Sequence, residues 1–306
     1  MTLPGVVKQG EAEASNHRGV LRRLRLLSGL VMFVYIATHL VNHGLGIISL
    51  ALAESGLRLE MAFWHGSIPT VTLYGAAAIH FLLALWTLYR RREWRLPAIE
   101  ILRLASGFSF PLLLFGHAVT TRLGDSLFGI RPSYELIITN LLMAGRQGMQ
   151  LALLAPGWVH GCLGLWITLR RFRAMQEIRH WLILLVVLVP FLAAGGFFRM
   201  ASEIDALGPP PPVSPKAAIA QDTLAVWRDD LTKAYLGAIL AAFVLGRLHA
   251  LARGSIVFAR GSLAFERPRP LLSVWLNDPP QPRDVAHRQK CAVRVVQDQP
   301  RSAPRV

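Results

Sequence analysis

The sequence predicts an all-α fold: a polytopic membrane bundle of six transmembrane helices. Three observations predict it. The 306 residues are 53% hydrophobic and only 17% charged, against about 45–50% and about 25% in ordinary soluble domains. Mean hydropathy is +0.41. The apolar residues gather into six long runs, with arginines between them. This balance excludes a disordered chain and argues against a soluble globule. The net charge of +15 would suggest nucleic acid in a soluble protein. Here no soluble basic domain carries it, so no nucleic-acid partner is expected. The two cysteines, Cys162 and Cys291, build neither a disulfide framework nor a zinc cluster.

The runs follow in order. Met1 to Asn16 is polar and lacks the apolar core of a cleavable signal peptide. The spans read Leu26–Leu50, Pro69–Tyr89, Leu104–Thr121, Met149–Leu169, Trp181–Phe198 and Leu231–Ala252. About 20 apolar residues cross a bilayer. Lys233 and Arg247 interrupt the sixth run, and such side chains snorkel to the interface. Pro111, Pro156 and Pro190 fall inside spans, where neighbouring helices must satisfy the carbonyls they free. Arginines crowd four connections: Arg22, Arg23 and Arg25; Arg90, Arg91, Arg92 and Arg95; Arg170, Arg171, Arg173 and Arg179; and Arg253, Arg260, Arg267 and Arg269. The alternate loops are poorer in arginine, so the positive-inside rule places both termini in the cytoplasm.

Three segments result: a cytoplasmic N-terminal segment (1–21), a six-helix membrane domain (22–253) and a cytoplasmic tail or truncated linker (254–306). The Pro-rich stretch Gly208–Pro215 reads as a connector. Ser255–Ala259 and Ser262–Phe265 read as short strands around Arg260-Gly261.

Histidines carry the chemistry. His39 and His43 lie in span one, His80 in span two, His117 in span three and His160 in span four. Intramembrane ionisable residues are costly and mark functional sites by default. A lone histidine in a span more often bonds a neighbouring helix. One in each of four consecutive spans is harder to assign to packing alone. Their spacing is regular: Arg25 to His39 and Arg103 to His117 are both 14 positions, and His80 to Arg90 and His160 to Arg170 are both 10. At 1.5 Å per residue these are depths of about 21 Å and about 15 Å from the inner boundary. Two histidines at equal depth on facing helices can hold one haem iron from both sides. Two b-type haems are therefore expected, one between His39 and His117 and one between His80 and His160. On this count the levels differ by only about 6 Å, so helix tilt or lateral offset must separate them further.

His43, one turn beyond His39, is the competing ligand, or bonds a propionate or quinone. Arg22, Arg25, Arg90, Arg91 and Arg122 near span ends are candidate partners for propionates, or only topology anchors. Small residues such as Gly75, Gly107, Gly116, Gly157, Gly161 and Gly164 permit close approach of a macrocycle or of another helix. Trp86, Trp94, Trp158, Trp166 and Trp181 read as interfacial anchors. His17, His65, His180, His249 and His287 read as loop or interfacial residues.

The segment Arg25-Leu-Leu-Ser28-Gly29, followed by Ala37-Thr38-His39-Leu40-Val41-Asn42-His43, resembles the first span of succinate dehydrogenase and fumarate reductase cytochrome b anchors. In their di-haem members, spans one and three share one haem and spans two and four the other. The resemblance also implies a quinone site near Ser28 and Arg25. The chain further resembles the six-span, haem-b-like membrane domain of bacterial class III adenylate/guanylate cyclases. That likeness is carried by His39-Leu-Val-Asn42-His43-Gly-Leu-Gly, Leu73-Tyr74-Gly75 with His80, Pro111-Leu-Leu-Leu-Phe-Gly-His117 and Trp158-Val-His160-Gly161-Cys162. It covers roughly Arg22 to Arg253. It implies a redox- or quinone-responsive regulatory anchor in the bacterial inner membrane, working with a cyclase catalytic domain and as a homodimer. No cyclase metal-binding aspartates and no run of cluster cysteines can be placed in these 306 residues. An electron-transfer anchor serving a soluble redox partner, and a structural membrane protein without haem, are the other expectations.

Overall fold

A computed structural model describes residues 4–208 and 215–264. The described residues form ten α-helices and one π-helical turn: α1 (Pro4–Leu45), α2 (Leu50–Trp64), α3 (Ser67–Arg90), α4 (Ala98–Ala118), the π turn (Val119–Leu123), α5 (Gly124–Phe128), α6 (Tyr134–Met143), α7 (Gln147–Leu169), α8 (Arg173–Glu177), α9 (Arg179–Asp205) and α10 (Pro215–Ala264). Six stretches are long and apolar enough to cross a membrane: Gly19–Leu45, Ser67–Arg90, Ala98–Phe128, Gln147–Leu169, Arg179–Asp205 and Ile219–Arg253. The chain is an all-α, multi-pass membrane bundle. Large apolar side chains such as Ile68, Val71, Trp181 and Phe191 lie on its outer surface, the arrangement lipid favours and water does not.

The chain divides into two units, residues 1–249 and 250–306. The histidine-bearing helices all belong to the first. In the second, the described residues, 250–264, are the helical end of α10. They contain no strand, which corrects the reading of Ser255–Ala259 and Ser262–Phe265; Phe265 itself lies outside the described residues. A helix already formed propagates cooperatively, and one glycine, Gly261, costs it only about 1 kcal/mol. His17 likewise lies within α1 rather than in a loop. Most of the Pro-rich connector, His287 and Cys291 lie outside the described residues.

The first apolar run ends earlier than the sequence suggests. α1 stops at Leu45, and Ser49 caps α2, its side chain accepting a hydrogen bond from the Leu52 N–H. α2 and α6 pack with the end of α9 through Ala53, Tyr134, Ile138, Phe197, Met200 and Ile204. A second cluster joins α1, α7 and α9 through Leu40, Trp158 and Ala193. α1 and α9 approach closely at small residues: a Cβ on Gly196 would meet the His43 carbonyl oxygen.

Trp158 is not an interfacial anchor. It is 3% exposed, stacks on Phe33 with ring centroids 5.1 Å apart, and donates its indole N–H to the Val186 carbonyl at 2.9 Å. Pro190, four residues after Val186, has no N–H to give that carbonyl. The tryptophan thus fills the vacancy that a proline creates in an adjacent helix.

Candidate functional site

Close backbone packing joins α1 to α3, α7 and α9, and joins α4 to α7. The four span histidines pair differently, across the bundle. His39 on α1 faces His117 on α4 with ring centroids 5.9 Å apart. His80 on α3 faces His160 on α7 at 6.1 Å. These are the two pairs that the spacing from the arginines predicts.

The donor set fits a group held from both sides. An imidazole–metal bond is about 2 Å, and a ring centroid lies about 1 Å behind its nitrogen, so two rings sharing one metal have centroids about 6 Å apart. The second requirement is the tautomer: a ligating histidine gives its other N–H to an oxygen. His160 Nδ1 lies 2.9 Å from the Arg103 carbonyl oxygen, which can only accept. His80 Nδ1 lies 3.1 Å from Ser28 Oγ, and the Ser28 hydroxyl donates to the Arg25 carbonyl at 3.2 Å. That leaves the oxygen to accept from His80. Both rings therefore carry their proton on Nδ1 and leave Nε2 unprotonated. Backbone makes room for them: a Cβ on Gly29 would lie 3.2 Å from His80 Cε1, and one on Gly107 only 2.6 Å from His160 Cε1.

The outer pair has its own partners. His39 Nδ1 lies 3.3 Å from Glu60 Oε2 on α2. His117 Nδ1 lies 3.4 Å from the Gln150 amide nitrogen on α7; an amide oxygen occupies the same place when that group turns over. The π turn begins two residues after His117, and such widened turns cluster at functional sites. His43 is 6% exposed, and its Nε2 sits 3.3 Å from His39 Nε2. His43 Nδ1 and Glu60 Oε1 are buried without a hydrogen-bond partner among the described residues.

Next to this cluster, the Asn42 amide is best oriented to accept from the Tyr134 hydroxyl at 3.0 Å and to donate to the Ala53 carbonyl at 3.3 Å. Burial, with Glu60 and Glu54 nearby, pushes the Tyr134 phenol well above its ordinary value, so it stays a neutral donor.

The two levels are farther apart than the count of positions implies. His80 meets Ser28, and His39 follows 11 positions later on the same helix. His160 meets Gly107, and His117 follows 10 positions later on α4. The separation along the bundle is about 15 Å, not about 6 Å. The earlier count treats all four arginines as one level. In fact Arg25 donates to Thr87 Oγ1 at 2.7 Å, so Arg90 lies about a turn farther inward.

The candidate cations are unequal. Arg25 stands beside Ser28 at the inner pair and interacts electrostatically with Arg103. Arg122 donates to Thr70 Oγ1 at 2.9 Å, past His117. Arg91 pairs with Glu100 at 2.6 Å, Arg90 lies over the Trp86 ring, and Arg22 is exposed. Among the glycines, Gly157 and Gly161 pack against Phe110 and Phe33 and so serve helix contact, while Gly75 and Gly164 border open space.

Residue type alone did not single out Glu60, Gln150, Arg103, Tyr134 or Gly29. The sequence carries no signal for Glu60, because its segment, with Glu54 and Arg58 also charged, reads as a loop. No group of three or more His, Cys, Asp or Glu residues suited to a bare metal ion occurs among the described residues; pairs of histidines across a macrocycle are a different arrangement. Comparison with protein-family models, with curated proteins and with solved structures finds no match to this chain.

Proposed function

We propose that the chain is a membrane-embedded di-haem b-type cytochrome module. One observation carries the reading: two cross-bundle histidine pairs, with centroids 5.9 and 6.1 Å apart, stacked about 15 Å apart along α1 and α4. His39 and His117 would hold the outer group, and His80 and His160 the inner one. Each haem, when bound, supplies reversible one-electron transfer. The protein's part is to orient. Ser28 and the Arg103 carbonyl fix the inner tautomers, and Gly29 and Gly107 let those rings lie against the backbone. Arg25 and Arg122 offer cations to anionic groups at the two levels. Histidine on both sides leaves no open position, so the module is an electron carrier rather than an oxygen catalyst.

The arginine distribution supports an orientation with both termini cytoplasmic, and the resemblance to bacterial cyclase membrane domains supports a bacterial inner membrane. The resemblance to cyclase membrane domains supports a regulatory output: a redox- or quinone-responsive anchor acting on an adenylate cyclase-type catalytic domain, as a homodimer. The stacking of the two levels favours a second reading as well, an electron-transfer anchor between a membrane quinone and a soluble redox partner.

The test is a reduced-minus-oxidised spectrum with a pyridine haemochrome count on detergent-purified, haem-supplied protein. Two haems b per chain are expected. None, in a folded preparation, overturns both readings and leaves a structural membrane protein.

A further inference from the structure

The four ring-facing partners of Nδ1 are not equivalent. At the inner pair they are a serine hydroxyl at 3.1 Å and a backbone carbonyl at 2.9 Å. At His117 the partner is an amide. Only His39 faces an acidic side chain, Glu60 Oε2 at 3.3 Å. The rest of that network follows from donor and acceptor counting. A carboxylate takes the Nδ1 proton of His39, so the His39 lone pair is on Nε2. His43 Nε2 lies 3.3 Å from that atom and can donate to it only while no metal takes that lone pair. In that arrangement the His43 lone pair is on Nδ1, the histidine atom left buried and unpartnered among the described residues. The other carboxylate oxygen, Oε1, is also buried without a donor. Among the described residues, the acid's one side-chain hydrogen bond is therefore to His39.

We infer that Glu60 is the positioning and tuning residue of the outer pair: it fixes the His39 tautomer and is the one acidic partner among the four Nδ1 contacts. This rests on the reading of the histidine pairs as haem ligands. A carboxylate behind a ligating imidazole raises its basicity, and a more basic axial ligand favours the oxidised iron and lowers its potential. Neutral acceptors behind His80 and His160 do this less. The outer group is thus the lower-potential of the two.

The experiment is a spectroscopic redox titration of purified, haem-loaded protein with Glu60→Gln, Glu60→Asp and His117→Ala. Unaltered protein should give two one-electron waves, and His117→Ala should remove the lower one. Glu60→Gln should raise that same wave, a tenfold shift of its equilibrium being about 59 mV. It should leave the upper wave in place and change the electron paramagnetic resonance anisotropy of the lower component alone. Glu60→Asp should lie nearer the unaltered protein. If Glu60→Gln loses both haems on purification, Glu60→Asp is read instead: a smaller rise of the lower wave alone supports the inference, and no shift overturns it. The inference is overturned if Glu60→Gln moves neither wave, moves both alike, or moves the wave that survives His117→Ala. Failure of the unaltered protein to bind haem at all overturns the haem reading together with this one.

Discussion

Gly107→Ala isolates the inner histidine pair. The added Cβ would lie 2.6 Å from both Cε1 and Nδ1 of His160 and 3.4 Å from its Nε2, well inside van der Waals contact. The ring cannot retreat freely, because Nδ1 is held by the Arg103 carbonyl at 2.9 Å. Overpacking of this kind costs about 1–3 kcal/mol, and loss of the hydrogen bond adds about 1 kcal/mol. Alanine itself favours the helix, so the backbone of α4 is not weakened. The combined cost of about 2–4 kcal/mol falls on the position of His160. It lowers affinity for the inner haem by about 30- to 1,000-fold. A pyridine haemochrome count during stepwise haem withdrawal, read with the redox titration, measures this. Gly107→Ala should keep one haem and lose the higher-potential wave. Gly29→Ala, whose Cβ would stand 3.2 Å from His80 Cε1, should weaken the same wave less. Equal retention of both haems, or loss of the outer one, would refute the reasoning.

Other consequences are equally open to measurement. His39→Ala and His117→Ala should each remove one haem, and the double variant no more than one. His80→Ala and His160→Ala should together remove the other, as scored by haemochrome. Trp158→Phe strips the Val186 carbonyl of its donor and should cost about 1–3 kcal/mol in detergent unfolding, with haem count unchanged. Adding Pro190→Ala restores a helical N–H and should recover part of that loss. His65 is pushed below its ordinary value by burial and then by Arg122, against the opposing pull of Asp125. The unfolded chain therefore binds its proton more readily, and stability should fall as pH drops through about 6.5. His65→Gln should flatten the unfolding temperature between pH 7 and 5.5.

Hydropathy made the six spans legible, because a bilayer demands length and apolarity that few other environments select. The histidine pairs were legible for a related reason: residues that share a level recur at equal distances from charged ends. What escaped that reading depends on contacts between helices. α2 carries Glu54, Arg58 and Glu60, so it has no apolar run and reads as a loop, although Ala53 on it is fully buried. Trp158 has the composition of an interfacial anchor, and only the position of Pro190 on another helix explains its burial. Glu60 gains its meaning from a ring 21 positions away. A count from Arg90 misplaces His80, because Arg90 overshoots the level where Arg25 meets Thr87.

The shared use of α1 and α4 by both levels makes the bundle a ruler. α1 holds Ser28 and Gly29 against the inner ring and His39 in the outer pair; α4 holds Arg103, Gly107 and His117 in the same order. Inserting or deleting one residue between these marks on either helix turns its outer histidine by about 100° and changes the spacing by about 1.5 Å. A change of length in the segment between α3 and α4 disturbs neither mark. Variation in length is therefore permitted in the connections and forbidden in these two intervals. An insertion of seven residues, close to two whole turns, would have to occur in both helices at once to keep the pairs facing.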